Sequence, residues 1–230
     1  MKPAVSPPVD PLAQLTEIRA IMERSSRFIS LSGLSGVGAG VVALAGAAGT
    51  HFYFQQRFGA RGEYAASGFG RLLSSTLAER LAALPFLLAL AAAMIAAALL
   101  LAVFFTARRT RRDGRPVWNG PARRLALALV VPLVAGGLFC LRLYLSGAVE
   151  LVVPGLLVFY GLALLNGSKY TLDEIRWLGL LQIGLGLLGL LLPSYGLELF
   201  AAGFGLGHIG YGLLMYNRYE RAGAAATAAP

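Results

Sequence analysis

The sequence predicts an all-α fold, a polytopic membrane helix bundle of six transmembrane helices with an N-terminal amphipathic helix. Three observations carry that prediction. Only 13% of the 230 residues are charged and 57% are hydrophobic, whereas a soluble domain carries about 25% charged residues. Mean hydropathy is +0.68. Six apolar runs also approach the roughly 20 residues needed to span hydrocarbon. One such run fits a buried helix, but six exceed what a soluble core of this size can hide.

Residues 1–10, MKPAVSPPVD, hold three prolines and no periodicity, which predicts a disordered start. Asp10 before Pro11 then supplies an N-cap and a proline at the first helical position. Leu12, Leu15, Ile18, Ile21 and Met22 fall on one face, with Glu17, Arg19, Glu23, Arg24 and Arg27 mostly on the others. Segment 11–27 is therefore expected to be an amphipathic helix, at the membrane surface or against the bundle. The transmembrane domain, 28–217, is expected to hold spans at 28–50, 82–106, 125–146, 149–167, 175–193 and 197–217. The first ends in ALAGAAG, which resembles a signal-peptidase site. The preceding region is long and contains acids, so the span is expected to be retained. Residues 55–81 form a long loop whose second half, GFGRLLSSTLAERL, suits a short surface helix. Residues 107–124 form a basic loop, and 218–230 is expected to be a disordered tail. The triplet EIR recurs at 17–19 and 174–176, but ahead of spans that run in the same direction, which does not make an inverted repeat.

Orientation follows from the basic residues, since Lys and Arg collect on the cytoplasmic side. With the N-terminus inside, that side holds Lys2, Arg19, Arg24, Arg27, Arg108, Arg109, Arg111, Arg112, Arg115, Arg123, Arg124, Lys169, Arg176, Arg218 and Arg221. The other side holds Arg57, Arg61, Arg71, Arg80 and Arg142. Both termini are therefore expected in the cytoplasm and 55–81 outside. In a soluble chain a net charge of +9 would point to nucleic acid. Here the RRTRRDGRPVWNGPARR loop reads first as a topology determinant and second as an anionic-lipid patch, and no nucleic-acid partner is expected.

Small residues four apart let a second backbone approach closely. Ser32, Gly36 and Gly40 do so in the first span, and Gly203 and Gly207 in the sixth. They mark helix packing, within the bundle or between copies. Ionisable groups inside spans are costly and face a partner or water. Arg142, Glu150 and Glu198 should share one depth near the outer interface. They form either an ionic cluster or a snorkelling arginine with two carboxylates at helix starts. Near mid-membrane, Gln182, His208, Tyr211 and Tyr160 should form a polar layer able to bind a ligand or ion, or simply to tie helices together by hydrogen bonds. His51 and His208 stand at different depths and Cys140 is the sole thiol, so no metal site and no cofactor is expected. No nucleotide-binding, zinc-protease or serine-elbow motif occurs. Cys140 reads as a packing residue.

Three stretches, IRAIMERSSRFISLSGLSGV, FYGLALLNGSKYTLDEIRWLG and GFGLGHIGYGLLMYNRYE, together resemble an uncharacterised family of bacterial multi-pass membrane proteins. The likeness covers most of the chain apart from the proline-rich start and the long loop. It implies six spans in a bacterial inner membrane and brings no activity or substrate. MERSSRF and GFGLGHIGYG are the matching motifs, which draws attention to Arg24, Ser25, Arg27 and His208.

The expected role is non-enzymatic binding or passage of a small ligand or ion at the mid-membrane polar site. One alternative is a sensor or partner subunit touching a cytoplasmic protein through the N-terminal helix and basic loop. A lipid-modifying enzyme using Arg142, Glu150 and Glu198 is another. Expected partners are membrane lipids, with a homo-oligomer or cytoplasmic protein as further candidates.

Overall fold

A computed structural model describes residues 32–58, 72–112 and 118–221. The expected disordered start, the amphipathic helix at 11–27 and the tail beyond 221 lie outside them, as do Arg24, Ser25, Arg27 and Arg115. The described chain is helical and has no strand among the described residues. Its elements are α1 (Gly33–Phe58), α2 (Leu77–Arg112), α3 (Gly120–Ser146), α4 (Val152–Gly167) and α5 (Ile175–Leu191). A last, composite helix follows: α6 (Gly196–Phe200), a π-helical stretch (Ala201–Gly207), α7 (His208–Met215) and a second π stretch (Tyr216–Arg221). Short 3₁₀ turns join α3 to α4, α4 to α5, and α5 to α6. Five helices are long and apolar enough to cross a membrane: Gly33–Arg57, Leu77–Arg108, Gly120–Ser146, Val149–Tyr170 and Pro193–Arg218. The apolar helix Ile175–Leu191 is shorter, at 17 residues. This content supports a membrane protein.

Local chemistry sets the helix ends. A reciprocal capping box opens α2: the Thr76 N–H donates to Glu79 Oε2 at 2.7 Å and the Glu79 N–H to Thr76 Oγ1 at 3.3 Å. The helix therefore starts before the apolar run predicted at 82–106. It also continues through Arg108–Arg112, because arginine is a good helix former once outside hydrocarbon. Asn119 caps α3 by accepting from the Ala122 N–H at 2.9 Å, with Pro121 in the first turn. Gly147, at φ 96°, ends α3 in the left-handed conformation. Helix α1 runs on to Phe58, past the predicted end of the first span.

Small residues set the packing. A Cβ on Gly40 would stand 2.6 Å from the Gly205 carbonyl oxygen, and one on Gly36 would stand 3.2 Å from Gly212 Cα. Helix α1 therefore lies backbone to backbone on the last helix. Gly161 and Gly179 bring α4 and α5 together in the same way, at 2.6 and 2.9 Å from each other's carbonyl oxygens. Helix α2 packs on α1, and α3 on α4. Helix α2 also reaches α3 where the Tyr144 hydroxyl donates to the Arg80 carbonyl at 3.0 Å. Phe54, Leu72, Ala83, Tyr144 and Val149 form a buried cluster at that end. The opposite, basic end carries Arg108, Arg111, Lys169, Arg176 and Arg218.

Candidate functional site

Tyr160, Gln182 and His208 stand within about three residues of the centres of Val149–Tyr170, Ile175–Leu191 and Pro193–Arg218. They form one connected network. The Tyr160 hydroxyl lies 2.6 Å from His208 Nε2. His208 Nδ1 lies 3.3 Å from the Gly203 carbonyl oxygen, and Gln182 Nε2 donates to that same oxygen at 2.8 Å. A carbonyl only accepts. The Nδ1 of a neutral His208 ring therefore carries the proton, Nε2 accepts, and Tyr160 donates. Gln182 is fully buried and His208 is 7% exposed.

The backbone makes this possible. In a π-helix each N–H reaches back five residues instead of four, so the backbone ladder is shifted locally. Gly203 lies inside that stretch, and its carbonyl oxygen meets two side-chain donors. Glycine makes room there, because a Cβ on Gly203 would stand 2.5 Å from Gln182 Oε1 and 2.6 Å from Leu157 Cδ2 and would displace both side chains. Phe204 screens the site, 4.9 Å from the Tyr160 ring centroid and stacked at 10° to His208 with centroids 6.1 Å apart. Gln182 Oε1 accepts no hydrogen bond, although it is buried.

Tyr211 takes a different position. It packs on the Leu164, Ile175 and Leu178 cluster and lines a groove between α5 and the last helix. The structure thus brings three of the four predicted polar residues into one network and leaves Tyr211 on the flank.

The outer ionic cluster is corrected. Arg142 and Glu198 are exposed, Glu150 is half-buried, and no ion pair joins them among the described residues. Cys140 and Tyr144 face inward at 3% and 5% exposure. Arg142, midway between them on the helix, therefore points outward. An ion pair, Arg218 Nη1 to Glu174 Oε1 at 3.2 Å, lies instead at the basic end. The cation that does serve the opposite end is Arg80. Its Nη1 donates to the Ser75 carbonyl at 2.6 Å, and a Cβ on Gly147 would stand 3.3 Å from its guanidinium. A cation beside the last turn of α3 suits the helix dipole.

The packing residues are partly reassigned. Ser32 is buried and accepts from the Ser35 hydroxyl at 2.6 Å through its carbonyl. Gly36 and Gly40 do meet the last helix, but against Gly212 and Gly205. Gly203 makes room for Gln182, while Gly207 lines the groove. Among the described residues no three His, Cys, Asp or Glu side chains converge. His208 lies level with Gly36, and exposed His51 stands about 22 Å further along α1 by helix rise.

No family model, curated protein or solved structure matches this chain.

Proposed function

We propose that the chain is a six-span protein of a bacterial inner membrane that binds a small ligand, without catalysis, at the Tyr160–His208–Gln182 layer. Support for the sixth span comes from Ile175–Leu191, about 25 Å long by helix rise and extended by a 3₁₀ turn on each side. The clustering of arginines at the basic end supports a cytoplasmic position for that end. The likeness of MERSSRF and GFGLGHIGYG to a bacterial multi-pass family agrees with the location.

The observation that carries the functional reading is Gln182 Oε1, a buried acceptor without a donor. Leaving such a group unpaired costs about 1–3 kcal/mol. Reversing the amide would not help, because the oxygen would then face the Gly203 carbonyl. The ligand chemistry that would satisfy it is a small, mainly apolar molecule with one hydroxyl or N–H, donated to Gln182 Oε1 once the side chains packed against Gly203 part to admit it. Passage through the membrane would require a polar path beyond this layer, so binding is the better-supported half of the reading.

The test uses matched pairs of long-chain alcohols and their methyl ethers on the purified chain in detergent. The alcohols should raise the melting temperature more than the ethers do, and Gln182→Met should abolish that difference. Equal shifts from alcohol and ether, or a difference that survives in Gln182→Met, would overturn the proposal.

A further inference from the structure

The groove between α5 and the last helix has a separate use. It is an open groove of about 520 Å³ lined by Trp177, Leu181, Leu185, Leu206, Gly210 and Tyr211, among others. That volume lies within the roughly 300–1,000 Å³ of small-ligand sites. The lining runs from Trp177 to Leu185 on one wall and from Tyr211 back to Ala202 on the other. By helix rise each wall is about 12–13 Å long, from the basic end toward the middle of the bundle. The lining is almost wholly apolar. Its floor lacks side chains, because Gly207 and Gly210 stand there and a Cβ on Gly210 would meet nothing within 4 Å.

Charge distinguishes the mouth of this groove. Trp177 is 65% exposed, and the Arg176 guanidinium carbon sits 5.4 Å over its ring. Arg176 is exposed and pairs with no carboxylate among the described residues, whereas neighbouring Glu174 is engaged by Arg218. An indole with a free guanidinium at the end of an apolar slot matches the headgroup boundary of a lipid.

We infer that this groove is a binding site for one anionic phospholipid, with an acyl chain along Gly210 and Leu206 and the phosphate on Arg176. The arginine fork suits phosphate oxygens, and the opposite charges commit the site to an anionic rather than a zwitterionic headgroup. The groove adjoins the Gln182 layer through Leu181 and Leu185, but it is tested through Gly210 and Arg176, so the retained-lipid count and the alcohol-to-ether difference report on separate residues.

The experiment reconstitutes the full chain in mixed phosphatidylcholine and phosphatidylglycerol, exchanges it into detergent, and counts retained lipid by native mass spectrometry. Wild type should retain phosphatidylglycerol in preference to phosphatidylcholine. Arg176→Gln should lower that preference about five-fold, the size of one basic contact at a membrane surface. Gly210→Leu, whose Cβ would meet no protein atom within 4 Å, places a side chain on the floor and should abolish retention. Gly184→Leu, on α5 and equally free of neighbours within 4 Å but outside the groove, should retain lipid as wild type does. Equal retention of both lipids, or retention unchanged in Gly210→Leu, overturns the inference. So does a dimer that Gly210→Leu dissolves, which would make a second copy the occupant.

Discussion

Replacing Gly212 with alanine should pry α1 from the last helix. A Cβ there would stand 2.5 Å from the Gly33 carbonyl oxygen, 2.6 Å from the Val37 nitrogen and 3.0 Å from the Gly36 carbonyl carbon. These are backbone atoms, so no rotamer change relieves the overlap. Ordinary contact begins at 3.4 Å, and 3.4 less 2.5 leaves the helices 0.9 Å too close. A gap of 0.5–1 Å forfeits about a quarter to a half of each dispersion contact, and the contacts at Gly36 and Gly40 would share the loss. Overpacking of this kind costs about 1–3 kcal/mol. Alanine also gains about 0.8–1.0 kcal/mol of helix propensity over glycine, which would mask part of the effect. Gly137→Ala in α3 removes that ambiguity, because its Cβ meets nothing within 4 Å. The propensity gain is common to both variants, so their difference isolates the overlap. Gly212→Ala should be less stable than Gly137→Ala by about 1–3 kcal/mol in reversible unfolding by sodium dodecyl sulfate in mixed micelles. Coincident unfolding midpoints would refute the claim that direct backbone contact holds these helices together.

Two further outcomes are expected. In a double-mutant cycle of Tyr160→Phe and His208→Phe, the coupling energy should be near the membrane average of about 0.6 kcal/mol and below about 1.7 kcal/mol; additive losses would mean the two side chains do not bond. Arg80→Gln should cost about 1.5–3 kcal/mol, as for a hydrogen bond to a charged group, whereas Arg142→Gln should stay within about 0.5 kcal/mol of wild type. The reverse ranking in thermal unfolding would restore an ionic role to Arg142.

The apolar helices were legible because hydropathy is summed over a whole segment and does not depend on neighbours. Their ends were less so. Thr76 and Glu79 have the spacing of a capping box, a signal that was available in TLAE but stood within what read as a separate short surface helix. Depth was also legible: Tyr160, Gln182 and His208 do share a layer. Rotation about the helix axis was legible as well: with Cys140 read as a packing residue, Arg142 two positions further on turns outward. The pairing of Gly36 and Gly40 with Gly212 and Gly205 depends on how far one helix slides along another, which spacing within a single helix does not encode. The Gly203 carbonyl was least accessible of all. A π stretch is a change in backbone hydrogen bonding, and glycine permits it without announcing it.

That carbonyl explains why one histidine stands among five glycines in GFGLGHIGYG. Each glycine leaves room for a different neighbour. Gly203 admits Gln182 and Leu157, Gly205 admits Leu44, Gly207 and Gly210 floor the lipid groove, and Gly212 accepts the backbone of α1. A helix thinned on so many sides has few side chains left to hold its position. His208 and Gln182 compensate by both reaching the Gly203 carbonyl within the π stretch. Both side chains therefore have a structural task, and loss of stability in their variants does not by itself identify a binding site. What separates the tasks is the donor already spent. Gln182 stabilises the helix through Nε2, while its Oε1 contributes nothing to that bond. A role that depends on Oε1 alone belongs to the ligand, which is why the alcohol-to-ether difference, rather than stability, is the decisive measurement.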